Sequence, residues 1–259
     1  MKPTFLNQNK PLITCMIQAK NVSDAVHTAR AAAFDGCDAY GFQIEQLDPA
    51  QRSEDKIKSI FRQMGNKPIY VTSYRSGFNQ GKTDDELAED LLFLRKCGAT
   101  LLDVMGDYFC PDPIQLTRNP TAIEKQKALI ERIHETGGEV LMSSHTLKFM
   151  SADEVLDIAF AQKERGADIV KIVTASGSED EELENLRIIT LLKRELGIPF
   201  LYLAGGSHCK FIRTIGAMMG SCMWLTVHDY DELATMSQPM CRAIRAIADN
   251  FDWMPDREG

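Results

Sequence analysis

Eight short β-rich runs recur along the 259 residues: PLITCMI (11–17), DAYGFQI (38–44), PIYVTSY (68–74), TLLDVM (100–105), EVLMSS (139–144), DIVKIV (168–173), PFLYLA (199–204) and CMWLTV (222–227). The stretches between them carry apolar residues at helical spacing. Eight strands alternating with helices over about 250 residues is the size and order of an α/β chain folded as a (β/α)8 barrel. No low-complexity segment or composition break marks a linker, so residues 1–259 read as a single domain.

The joins support this rhythm. Thr83, Thr121, Ser151 and Ser178 are each followed three residues later by glutamate (Glu86, Glu124, Glu154, Glu181). Each pair can form a capping box, in which the hydroxyl accepts from the third amide and the carboxylate reaches back. Helices should end at FDGCD, RKCGA, HETGGE and ERGAD, where glycine permits a left-handed residue. The rival is a doubly wound sheet. It needs a glycine-rich turn after an early strand, and QAKNVSD is not one.

Composition narrows the function. A net charge of -8 without a basic patch argues against a nucleic-acid partner, while leaving room for a small anionic substrate held by one or two arginines. The seven cysteines are odd in number, scattered and free of CxxC pairs, which reads as a reduced intracellular chain. The start lacks an apolar signal core and no run of about 18 apolar residues occurs, so a cytoplasmic protein with no membrane partner is expected.

In a barrel, chemistry belongs at the C-terminal ends of the strands. The polar residues there are Gln18, Gln43, Glu45, Arg75, Asp107, His145, Lys171, Thr174, Arg213, Thr226, Ser237 and Gln238. Lys171 stands out, because it interrupts the apolar run GADIVKIVTAS. Two readings stay open. It is a structural lysine paired with a core carboxylate, or an amine whose pKa burial lowers until it can attack a carbonyl. His145 ends the neighbouring fifth run, so a nitrogen base and an amine face the same mouth, the arrangement that imine chemistry wants. Arg75, in a loop with glycines, and Arg213, entering the helix after the seventh run, suit bidentate carboxylate binding. Each also has a plain reading as a surface arginine. Gly205-Gly206-Ser207 reads either as an anion-holding turn or as a tight βα turn. His208, Cys209, His228 and Asp229 repeat no ligand spacing, so no metal is expected. His27 and His134 fall on helices and read as surface residues. The methionines of MMGSCMW read as core packing, and FDWMPDREG as a helix end and tail.

Taken in order, ADIVKI, MSSHTL, SYRS, FIR and the late serine-glutamine-proline resemble type I 3-dehydroquinate dehydratase. That family's motifs are ADIPKI, a serine-containing strand ending in HDF, a phenylalanine-arginine-serine triplet, a serine-arginine pair and S-A-P-G-Q. GCDAYGFQIEQLD sits where the family has GADxxExRxD, and the resemblance covers nearly the whole chain. It implies a lyase of aromatic amino acid biosynthesis that needs no cofactor or metal, and a homodimer. Lys171 forms the Schiff base with the ketone of 3-dehydroquinate, and His145 moves the proton and helps water leave. Arg213 binds the carboxylate, Arg75 serves the substrate and Ser237 matches the serine of the family's lid; Gln43 and Gln238, at the same mouth, are further substrate-binding candidates.

Some positions differ from the family pattern. Gly41 and Gln43 stand in place of E-x-R, and Met105 in place of the glutamate that orients the histidine. Asp103 matches the aspartate two residues earlier, Cys241 replaces the lid's glutamine, and Ile212 replaces the small residue before the arginine. Asp103 or Asp107, on the parity of position 105, is the candidate to orient His145. These differences keep two alternatives open. One is a Schiff-base dehydratase or class I aldolase for another keto-acid; the other is a non-catalytic barrel that binds a carboxylate.

Overall fold

The computed structural model describes residues 3–250, and all eight runs are parallel strands of one barrel. They are β1 (Leu12–Ile17), β2 (Ala39–Gln43), β3 (Ile69–Thr72), β4 (Leu101–Met105), β5 (Glu139–His145), β6 (Ile169–Ala175), β7 (Phe200–Gly205) and β8 (Met223–Thr226). Each pairs with its neighbour in sequence from β1 through β7, and β1 also pairs with β8. At the β7–β8 seam, Cys222 N–H donates to Phe200 O at 2.8 Å and Tyr202 N–H to Ser221 Oγ at 3.2 Å. The fold is a (β/α)8 barrel, not a doubly wound sheet.

Eight helices alternate with the strands: α1 (Val22–Phe34), α2 (Glu54–Phe61), α3 (Asp84–Cys97), α4 (Pro120–Glu135), α5 (Ala152–Glu164), α6 (Glu179–Glu195), α7 (Lys210–Met219) and α8 (Cys241–Ala248). Two of the four predicted capping boxes form in full, at Thr83–Glu86 and Ser151–Glu154. At α6, Ser178 accepts from Glu181 N–H, but the Glu181 carboxylate turns to Gly177 N–H instead. The Thr121 box is absent. Asn119 caps α4 one residue before Pro120, whose fixed φ and missing N–H suit the first helical position, so Thr121 already lies inside the helix. Gly98 and Gly166, with φ of 120° and 99°, end α3 and follow α5 as the sequence requires.

Parallel strands in a barrel are buried on both faces, which explains their nearly continuous apolar runs. One face packs outward on the helices, with Ile13, Cys15, Ile17, Val71 and Val104 among the buried residues of that layer. The other face fills the barrel. Leu12, Leu101, Leu141, Ile169, Leu201 and Met223 form an apolar floor with Phe5 beneath it. Above the floor the inward positions become polar: Asp103, Ser143 and Lys171, all buried. The C-terminal segment FDWMPDREG lies outside the described residues.

Candidate active site

Strand alternation turns Lys171 of β6 inward, and α5 fixes its backbone. Gln162 Oε1 accepts from Lys171 N–H at 3.1 Å, and Gln162 Nε2 donates to Lys171 O at 3.2 Å. The ammonium donates to three oxygens: Tyr74 Oη at 2.7 Å, Tyr70 Oη at 2.9 Å and Asp103 Oδ2 at 3.1 Å. Both tyrosine hydroxyls donate in turn to Asp103 Oδ2, and Ser143 Oγ donates to Oδ1. Ser143 pairs in register with Lys171 and with Met105. Burial pushes the Lys171 amine below its ordinary pKa, with Asp103 opposing that shift and the Arg213 charge adding to it. The two readings of this lysine are therefore compatible: it is paired with a core carboxylate, and it also lines a cavity.

His145 closes β5. Gln115 Oε1 accepts from both its backbone N–H at 3.0 Å and its Nδ1 at 2.7 Å. Two donors on one oxygen fix the orientation of the amide, so Nδ1 carries the proton and Nε2 keeps a lone pair. Burial, then the charges on Lys171 and Arg213, lower the imidazole pKa to about 3, so the ring is neutral at ordinary pH. Neither predicted aspartate orients it. Asp103 is bound to Lys171 and the tyrosines, and Asp107 is bound to Arg75.

Arg213 sits on the first turn of α7, 7% exposed, with Nε donating to Ala204 O at 2.7 Å. Among the described residues it forms no ion pair, and desolvation brings its pKa down to about 10. A buried guanidinium without a carboxylate is suited to receive one from a ligand.

These groups converge on a cavity of about 260 Å³. Gln43, Tyr70, Tyr74, His145, Lys171, Arg213, Thr235 and Gln238 give it polar walls, and Met16, Val173, Leu203 and Leu225 apolar ones. Gln43 is fixed by Gln18, whose Nε2 donates to its Oε1 at 2.7 Å. Gln238 is 5% exposed, and its buried Oε1 has no hydrogen-bond partner among the described residues. At Gly41 a Cβ would lie 2.1 Å from Met16 Sδ, so Met16 occupies the space that a side chain on β2 would need. A larger cleft of about 390 Å³ opens at the opposite end of the barrel, beside Pro11 and Pro199. Its two lysines, Lys10 and Lys193, are exposed, whereas Lys171, His145 and Arg213 line the cavity at the other end.

The model for the type I 3-dehydroquinase family matches residues 13–251. The chain belongs to that family. A 3-dehydroquinate dehydratase of Alkaliphilus oremlandii is 30% identical over 183 residues, 69% of this chain and 66% of that protein, so the chain spans just under two thirds of that relative's length. The 3-dehydroquinate dehydratase structure from Geobacillus kaustophilus superposes with a TM-score of 0.79 at 17% identity, covering 95% of this chain and 94% of that one. The type I enzyme of Clostridium difficile, solved with covalently modified comenic acid, gives 0.79 at 16% identity over 94% and 93%. At these identities the two structures speak to the fold.

Of the residues singled out in the sequence, the fold brings Lys171, His145, Arg213, Gln43 and Gln238 together. It does not bring Arg75 or Ser237 to the cavity lining. Arg75 is held by Asp84 through Nε and Nη2 at 2.7 and 2.8 Å and by Asp107 through Nη1 at 2.9 Å, so its guanidinium is already occupied by two carboxylates. Ser237 is half-buried in the loop beside Gln238. Gly206 belongs to a tight turn: a Cβ there would meet Ser176 O at 2.5 Å, and His208 N–H donates to that same oxygen. His228 pairs with Asp35, and among the described residues no group of three or more His, Cys, Asp or Glu side chains is placed to hold a metal. Among them, too, no helix is long and apolar enough to cross a membrane.

Sequence reasoning missed Tyr70, Tyr74 and Gln115. The tyrosines left a signal, since positions 70 and 74 share a parity on one β run. Gln115 left none, because it lies in a loop 30 residues from the histidine it holds.

Proposed function

We propose that the barrel mouth is a Schiff-base dehydratase site for a cyclic keto-acid, with 3-dehydroquinate as its first substrate and 3-dehydroshikimate plus water as products. The observation that carries this reading is a buried lysine amine in the wall of a cavity that also holds a neutral histidine and a guanidinium with no ion-pair partner among the described residues.

The chemistry follows from these side chains. Arg213 takes the substrate carboxylate. The Lys171 amine adds to the ketone and water leaves, giving an iminium that acidifies the adjacent C–H. His145 Nε2 removes that proton, the electron pair forms an enamine, and the neighbouring C–O bond breaks as His145 returns the proton to the departing hydroxyl. Water then hydrolyses the iminium and frees the lysine. In net terms one C–H and one C–O bond break, one C=C bond forms and one water is released. The reading requires no group beyond these side chains. On this reading the enzyme works in the cytoplasm as a dimer, and sedimentation of the purified chain checks the dimer.

The four apolar wall residues, Met16 seated over Gly41 among them, support a second reading in which the keto-acid carries fewer hydroxyls. A polar site rejects analogues lacking its hydrogen-bonding groups, and an apolar wall leaves hydroxyls unpaired.

The test is to add 3-dehydroquinate and borohydride and look for a mass adduct on Lys171. An adduct with turnover supports the dehydratase. An adduct only with another keto-acid supports the changed substrate. No adduct with any ketone or aldehyde tried sinks the imine mechanism and leaves a carboxylate-binding barrel. His145→Ala is expected to trap an adduct while turnover falls by roughly 10²–10⁴-fold.

A further inference from the structure

His145 is arranged as a base. Its Nδ1 proton is committed to Gln115, and among the described residues its Nε2 lone pair meets no donor. A base of this kind can remove a carbon-bound proton, but it has none to give when the carbonyl oxygen must first leave as water. Imine formation needs an acid at that oxygen, and the cavity holds another candidate.

The Tyr74 hydroxyl lies 2.7 Å from Lys171 Nζ and 2.5 Å from Asp103 Oδ2, so it bridges the amine and the carboxylate. Tyr74 lies two residues past the end of β3, at the mouth, and its ring meets the His145 ring edge-on with centroids 5.4 Å apart. Tyr70, by contrast, is a strand residue paired in register with Leu101 of the floor. The Tyr74 hydroxyl, next to Nζ and on the histidine's side of the mouth, is thus within reach of the oxygen on a carbonyl carbon bonded to Nζ. Burial and Asp103 keep the phenol protonated, ready to donate.

Resting on the imine reading above, we propose that Tyr74 is the catalytic acid of imine formation and that Asp103 is its proton reservoir. Lys171 as ammonium passes one proton to Asp103. The free amine attacks the carbonyl carbon, the C–N bond forms and the π pair moves to oxygen. Tyr74 donates to that oxygen and is reprotonated by the nitrogen, giving a neutral carbinolamine. The nitrogen lone pair then expels the hydroxyl, which leaves as water with a second proton from Tyr74, replaced from Asp103. The sum is ammonium, carboxylate and ketone going to iminium, carboxylate and water, with protons and charge balanced. Imine hydrolysis runs the same path in reverse.

The experiment follows adduct formation on Lys171 over time by mass spectrometry, with cyanoborohydride and either 3-dehydroquinate or pyruvate as the carbonyl probe. Tyr74→Phe is expected to slow adduct formation by roughly 10²-fold while reaching the same final yield. The solvent deuterium isotope effect on wild-type adduct formation should disappear in the variant. Adduct formation at the wild-type rate in a folded Tyr74→Phe overturns the proposal while leaving the imine mechanism intact. Absence of any adduct in the unaltered protein overturns both. Should the variant not fold, 3-fluorotyrosine at position 74 keeps the ring and acidifies the phenol. Faster trapping supports the assignment, and an unchanged or slower rate overturns it.

Discussion

Lys171 Nζ lies 3.1 Å from Asp103 Oδ2, and the two side chains are 4% and 0% exposed. Each charge is tolerated in the barrel because the other is there, with Tyr70, Tyr74 and Ser143 satisfying the remaining valences. Removing one partner of such a pair strands the other. Asp103→Asn should therefore cost about 3 kcal/mol of stability at pH 7 in urea unfolding. Adding Lys171→Met should restore part of that loss, since neither charge is then buried. A double variant less stable than Asp103→Asn would refute the pairing.

Two buried groups should tilt stability with pH in opposite directions. His145 titrates near 6.5 when unfolded but at about 3 in the fold. Its contribution is full above pH 6.5 and falls as the pH drops toward 3, because the unfolded chain takes up a proton that the folded one refuses. Glu45, buried with hydroxyl contacts from Thr72, rises from 4.5 to about 7. Its contribution is full below pH 4.5 and is lost as pH rises through 7. Replacing His145 with Gln should remove about 2 kcal/mol of the stability difference between pH 7 and pH 5. Glu45→Gln should be more stable than the unaltered protein at pH 8 by on the order of 3 kcal/mol, with the gap closing near pH 4.5. Urea unfolding at each pH reads both.

Gly41 and Met16 should behave as a unit. A Cβ on residue 41 meets Met16 Sδ at 2.1 Å, so Gly41→Ala forces that side chain toward the cavity. The expected cost is about 1–3 kcal/mol, as for other overpacked sites. Met16→Ala in the same chain should relieve most of it. Thermal melts of the two single variants and the double variant measure the coupling, and simple additivity would contradict the contact.

The two arginines should separate binding from stability. Arg213 has no ion-pair partner among the described residues and lines the cavity, so Arg213→Gln should lower kcat/KM by roughly 10–100-fold, the value of a charged hydrogen bond to substrate. Arg75 is clamped by Asp84 and Asp107. Arg75→Lys should lower stability by about 2 kcal/mol and leave KM within about twofold. A large KM change at Arg75 would return it to the substrate site.

The barrel was legible because its signals are local. Strand runs, glycine stops and hydroxyl caps each act within a few residues, and all eight strands lie where the runs predicted. The cap at Thr121 failed on an equally local ground, since Asn119 caps the helix two residues earlier with Pro120 at its first position. Lys171 and His145 were legible for a related reason: strand parity and the βα order put both at one mouth.

The partners of those residues were not legible. Asp103 and Lys171 are 68 positions apart, and Gln115 and His145 are 30 apart. Parity admitted Asp103, Asp107 and Met105 equally, and only the closed barrel decides which inward side chains meet. It gave Asp103 to the lysine, Asp107 to Arg75 and a loop glutamine to the histidine. The sequence by itself determined the barrel, its polar end and the amine within it, because alternation and chain order carry that information. Tertiary structure decided the charge pairs, the histidine tautomer and the shape of the cavity, because those depend on distances of a few ångströms between residues far apart in the chain.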